Sequence, residues 1–269
     1  MTDQPLRIRG RRLRAVALAA ALAGTLPACS IETAPPAGVA CADHHPFGTP
    51  PALASTKLAA GTRPLCFGAF AVMHSGVTRS PLWVAEHLTA KSVEAARRLD
   101  TRDNRFHPEE RLSESERAEL ADYRGSGYDR GHMAPSGDMG RPEDDYESFS
   151  LANIVPQDAP LNRGGWADME EYVRDLAAKL GEAYVVTGPA YLGGSVRRLN
   201  GRVLVPTHVW KAAHVPGQGA GAWVASNDDR AEWEVVSVAE LTRRTGVDPF
   251  PKLDAAARAR VPAFPTFED

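Results

Sequence analysis

Within Tyr128-Asp129-Arg130-Gly131-His132-Met133-Ala134-Pro135, a guanidinium and an imidazole stand two residues apart across a glycine. The pair suits work on a phosphate ester. An arginine fork binds phosphate oxygens, and a neutral imidazole takes a proton from an attacking water. A glycine between them gives a backbone able to bend. Taken alone, the string is equally an ordinary polar turn, so the residues downstream decide. Asn153, Asn162, Glu170 and Arg174 come next along the chain. They add two amides, a carboxylate and a second guanidinium. Glu170 and Arg174 are four apart and share a helix face, where a plain ion pair is worth roughly 0.2–0.5 kcal/mol.

These residues need elements to hold them. Leu65 to Met73 reads as a strand, Ser75-Gly76 as a turn and Pro81 to Glu86 as the hairpin partner. Thr89 to Arg98 is Ala-rich and helical, and Ser115 to Tyr123 is a short helix. Asp129 to Met133 and Leu151 to Val155 form a central hairpin around a loop of solvated carboxylates, Asp144, Asp145 and Glu147. From Asn162 to Leu180 the apolar residues Trp166, Met169, Val173, Leu176 and Leu180 make one helical stripe, closed by Gly181. Glu170 falls about 40° from Trp166 at 100° per residue. A carboxylate there is costly unless paired or hydrogen-bonded. Ala183 to Thr187, Val203 to Val209 and Ala222 to Ala225 are β-rich runs. The order is α+β, with His132 closing the first strand of the central hairpin and Asn162 opening the helix after it.

The N-terminus reads as an export signal. Five arginines precede an apolar run from Ala15 to Leu26. Leu26-Pro27-Ala28-Cys29 then offers two readings, lipidation at Cys29 or plain cleavage. Residues 1–28 are thus a signal peptide, 29–64 a Pro- and Ala-rich tether, and 65–269 the folded domain. His44 and His45 read as an exposed pair in that tether, and His208 and His214 as structural. Cys41 and Cys66 are expected to pair in an oxidising compartment, tying the arm to the first strand. Without residues 1–28 the chain holds 26 basic and 33 acidic residues, a net charge of −7. The strongly basic field of many nucleic-acid binders is absent. Contact with such a polymer must come from a local patch.

The string Asp129-Arg130-Gly131-His132, with Asn153, Leu161-Asn162-Arg163-Gly164-Gly165-Trp166 and Glu170 to Arg174, resembles the DNA/RNA non-specific endonucleases. This is the ββα-metal finger group that includes mitochondrial endonuclease G. The likeness extends through Ser80 to Val84, Tyr123 to Gly127, Thr187-Gly188-Pro189 and Val205 to His208, over about residues 65–250. It implies a single ββα-metal domain with a central antiparallel sheet packed by helices. It implies that His132 is the general base and Asn162 the sole direct protein ligand of Mg²⁺, with Mn²⁺ able to substitute. Glu170 would hydrogen-bond the ion's waters, Arg130 and Arg174 would clamp phosphate oxygens, and Asn153 would support the site. Arg105 or Arg102 would supply an upstream phosphate contact. The expected function is an exported endonuclease of the cell envelope or periplasm acting on DNA and RNA, lipid-anchored through Cys29 or secreted, with a homodimer usual among such enzymes. Two other readings are a non-catalytic lipoprotein of this fold that captures nucleic acid, and a phosphodiesterase for small or lipid substrates.

Overall fold

The computed structural model describes residues 1–2, 41–54, 56–100, 104–193 and 196–267. The rest of the export segment, Cys29 and Arg102 lie outside the described residues. The opening strands are Thr62–Cys66 (β1), Phe70–Ser75 (β2) and Ser80–Thr89 (β3), the last two buried almost throughout. Helix α1 (Ala90–Arg97) follows, started by a reciprocal cap: Ser92 N donates to Thr89 Oγ1 at 3.0 Å, and Thr89 N to Ser92 Oγ at 2.8 Å. The chain continues through strand β4 (Asp129–His132), helix α2 (Pro142–Ser148) and strand β5 (Ile154–Gln157). Helices α3 (Ala159–Arg163) and α4 (Gly165–Leu180) lead to strands β6 (Glu182–Ala190), β7 (His208–Val215), β8 (Gly219–Ser226) and β9 (Trp233–Val236). Seven strands form one antiparallel sheet in the order β9-β8-β7-β6-β3-β2-β1. Strands β4 and β5 pair separately.

Each face of the sheet carries a core. On one, Val84, Val185, Val209 and Ala213 pack with Trp166, Met169, Val173 and Ala177 of α4 and with Met133 and Val155 of the β4–β5 unit. On the other, Trp83, Trp210, Ala212 and Val224 pack with Val238, Leu241, Phe250 and Cys41. The α4 stripe departs from expectation at its end: Ala177 is buried and Leu180 is 43% exposed. Helical geometry advances 100° per residue, and the core ends before the last turn. Gly181, at φ 101°, closes the helix as expected.

Three expectations need correction. Residues 41–54 and 56–64 belong to the fold and are no tether. Cys41 is disulfide-bonded to Cys66, Cα–Cα 5.8 Å, and Ala52–Leu53 pairs with Val247–Asp248. His45 is buried against Trp83, and His44 meets the Phe67 carbonyl at 3.4 Å. The acidic loop is helix α2, and its carboxylates are held: Asp144 accepts from Arg141 at 2.6 and 2.7 Å, Asp145 from Ser136 Oγ at 2.5 Å, and Glu147 from Gly68 N at 2.7 Å. The long helix from Asn162 is two helices broken at Gly164, whose φ of −103° and ψ of −119° are not helical.

Candidate active site

Strand β4 presents a half-buried Asp129, an exposed Arg130 and a half-buried His132. Strand β5 fixes its register, His132 opposite Ile154 and Arg130 opposite Pro156. Gly131 is no hinge. It is part of the strand and absent from the positive-φ glycines. A Cβ at this position would collide with the Gln157 side chain, so the glycine supplies room.

His132 lies between aromatic rings, with Phe149 edge-on at 4.8 Å and Phe106 at 5.3 Å. Its Nε2 is enclosed and has no hydrogen-bond partner among the described residues. Burial holds the imidazole pKa down at about 4, opposed by the charge of Asp145. At neutral pH the ring is therefore an uncharged proton acceptor. The Arg130 guanidinium lies over Phe106 at 4.1 Å. Phe106 thus joins the base to the cation.

Asn162 occupies the last turn of α3, just before the break, which turns it toward β4. Its amide donates to Asp129 Oδ2 at 3.0 Å. Asp129 also takes a two-pronged contact from Arg163 at 2.8 and 2.7 Å, which holds its carboxyl below the usual range. The nitrogen of Asn162 is thereby committed, and its carbonyl oxygen takes no hydrogen bond from the described residues. A hard divalent cation needs such an oxygen and keeps most of its waters, so the donor set fits one. Asp129, Arg130, His132 and Asn162 share one cleft of about 690 Å³ with Phe106, Leu120, Tyr123, Arg124, Gly125 and Tyr128.

The other expected residues sit elsewhere. Asn153 is fully buried in a single turn, Leu151–Asn153, ahead of β5. Its amide oxygen accepts from Ala134 N at 2.9 Å, and its nitrogen donates to the carbonyls of Ala134 and Ser148, both at 2.8 Å. With these groups used, it fixes the chain just beyond His132 and does not line the cleft. Arg174 is 12% exposed and pairs with Asp138 at 2.7 Å and Glu171 at 2.8 Å, not with Glu170. Its guanidinium is committed away from the phosphate role expected of it. Glu170 does not line the cleft either. Burial raises its pKa to about 7, against the pull of Lys211 and Arg174. Arg105 lies over the Tyr146 ring at 5.5 Å, and its phosphate role receives no support from the cleft lining.

The residue that sequence reasoning missed is Lys211. Only 1% exposed in β7, it donates to the carbonyl of Met133, beside His132, at 3.2 Å and to Thr187 Oγ1 at 2.7 Å. A lysine inside an apolar strand was its signal, because burying such a group requires a polar partner.

Residues 50–256 match the DNA/RNA non-specific endonuclease family. Nuclease C1 of Cunninghamella echinulata var. echinulata is 34% identical over 209 residues, 70% of this chain and 82% of that protein. A nuclease of Nostoc sp. is 33% identical over 223 residues, 76% and 79% of the two chains. Human mitochondrial nuclease EXOG is 30% identical over 224 residues, 74% of this chain and 60% of that protein. Among solved structures, a crystal structure of the EndoG/EndoGI complex, concerned with EndoG inhibition, aligns with TM-score 0.65 at 28% identity. That alignment covers 72% of this chain and 88% of that one. A matched domain, an antiparallel sheet carrying a separate ββα unit and a cleft joining His132, Arg130 and Asn162 agree: this chain belongs to the DNA/RNA non-specific endonuclease family.

Proposed function

We propose that the protein is an exported, Mg²⁺-dependent endonuclease that hydrolyses phosphodiester bonds in both DNA and RNA. The observation that carries this reading is the cleft itself. It places side by side an uncharged imidazole, a pinned amide and a guanidinium with no carboxylate partner among the described residues. His132 accepts the proton of the attacking water through its ring nitrogen. Arg130 holds a non-bridging phosphate oxygen. Asp129 keeps the Asn162 carbonyl aimed by occupying its nitrogen. A divalent ion would be held by Asn162, and when bound it would neutralise charge developing at phosphorus. Contacts confined to phosphate, base and ion carry little sequence information, which supports low specificity.

Incubating the full-length protein with plasmid DNA and with RNA, in Mg²⁺ and in chelator, tests the reading. Metal-dependent loss of both polymers, abolished in His132→Ala and Asn162→Ala, is expected. Intact polymers in every metal would overturn it, and retention of DNA in a gel shift would then favour a non-catalytic capture protein.

A further inference from the structure

Arg130, His132 and Asn162 serve the phosphate, and Asp129 aims Asn162. The apolar remainder of the cleft has no task in that chemistry. Leu120 is an exposed apolar side chain, at 40%. Tyr123 is 6% exposed, yet its hydroxyl is enclosed and unpartnered among the described residues. Burial raises its pKa, so the hydroxyl remains a donor. Tyr128 is half-buried, with the Arg197 guanidinium over its ring at 5.2 Å. The two tyrosines belong to or pack against an apolar cluster containing Leu151, Ile154, Val203 and Val205. Ile154 is also the register partner of His132. The tyrosines and the catalytic strand are therefore one packed unit.

A phosphodiester presents no apolar surface, and a cleft of about 690 Å³ is far larger than a phosphate needs. The flat apolar part of a nucleotide is its base. We propose that the wall formed by Leu120, Tyr123 and Tyr128 is a nucleobase subsite, holding the unstacked base of a nucleotide that flanks the scissile phosphate. The proposal rests on the endonuclease reading and names its substrate class: strands whose bases are free to leave the stack. Single strands, loops and frayed ends are cut ahead of closed duplex. Stacking tolerates every base, so the subsite adds preference for strand state and none for sequence.

The test uses the full-length protein in Mg²⁺ and a labelled single-stranded oligonucleotide with one tetrahydrofuran (abasic) residue, mapped against the intact strand. Cutting at the phosphates flanking the abasic residue is expected to fall about tenfold, leaving a gap in the ladder. In Leu120→Ser and Tyr128→Ala, cutting at intact positions falls toward the abasic rate, so the gap fills. Equal cutting beside the abasic residue overturns the subsite. So does a gap undiminished in both variants, which would trace it to the backbone. If neither strand is cut at all, the endonuclease reading fails, and binding decides the subsite separately. A nucleoside 5′-monophosphate should then bind about tenfold tighter than deoxyribose 5-phosphate, and equal affinity overturns the subsite.

Discussion

Two charged regions, the cleft around Arg130 and the buried cluster around Lys211, treat charge in opposite ways. In the cleft, Arg130 stands exposed with no carboxylate partner among the described residues, and the nearby acid, Asp129, is taken by Arg163. In the cluster, Lys211 and Arg174 are buried among Glu86, Asp138 and Glu170, three carboxylates against two cations. Glu86 is 1% exposed, and neither of its oxygens has a hydrogen-bond partner among the described residues. Burial, aided by the charge of Asp138, raises its pKa well above the usual carboxylate range, which favours its neutral form. The cleft thus keeps cationic groups available for an anion, and the interior pushes its surplus acid toward the neutral form. This is how a chain with net negative charge presents a site for a polyanion: the acids are tied down or pushed toward neutrality, and the cation that matters is not.

Removing the base should break the comparison most completely. His132→Ala is expected to lower kcat by about 10³-fold, within the usual range for a positioned general base. Substrate binding in chelator should hardly change, because Arg130 remains. A kcat within threefold of wild type would move the base elsewhere.

On the closed side the matching loss is Lys211→Ala. It removes a cation from beneath three carboxylates and frees the Met133 carbonyl. Breaking a buried charge network by one partner costs about 3–5 kcal/mol. Denaturant unfolding should show that loss, and Lys211→Met should recover part of it through packing. A loss below about 1 kcal/mol would mean that Lys211 is not compensating the acids.

Glu170 sharpens the contrast through pH. Its folded pKa of about 7 lies above the unfolded 4.5, so the native state holds the proton more tightly. The associated stability is present below pH 4.5 and is lost as pH rises through 7. Glu170→Gln cannot ionise. It should therefore be more stable than wild type at pH 8, by at most about 3 kcal/mol for a shift of this size, with the difference vanishing by pH 4.5. Equal stabilities at pH 8 would show that Glu170 is solvated.

How much of this was legible depended on range. The β4 motif and the helix after Thr89 are fixed by neighbours within a few residues, and they stand where the pattern put them. Asn162, expected to open the long helix, instead stands in the last turn of α3 and is held by Asp129 from far off in sequence. The pairing of Cys41 with Cys66 followed from a count of two. What escaped was burial settled by distant partners. Asp145 is buried because Ser136 reaches it, and Lys211 because Met133, far off in sequence, offers a carbonyl. The break at Gly164 was foreshadowed by two glycines in a helical stripe. The second of them is glycine for a tertiary reason, since a Cβ on Gly165 would collide with the backbone of Phe267. Arg174 shows the same limit. Spacing offered Glu170 as its partner, and the fold supplied Asp138 from another element.

The smallest expected effect tests how the open side is built. Asp129 touches no part of the proposed reaction, yet it holds the Asn162 amide at 3.0 Å and is itself held ionised by Arg163. Asp129→Asn keeps the shape and removes the charge. An asparagine in that place can present its own NH₂ to Asn162, in which case the Asn162 amide turns over and its oxygen no longer faces the cation. The expected result is about a tenfold fall in kcat/KM, worth about 1.4 kcal/mol. Raising Mg²⁺ should partly restore it, because the lesion lies in ion affinity, and thermal stability should change little. Arg163→Met should give the same phenotype more weakly, since Asp129 then loses its anchor and keeps its charge. If Asp129→Asn lost activity that no Mg²⁺ concentration restored, Asp129 would act on the substrate directly. The cleft would then hold its acid for chemistry, and not merely to aim an amide.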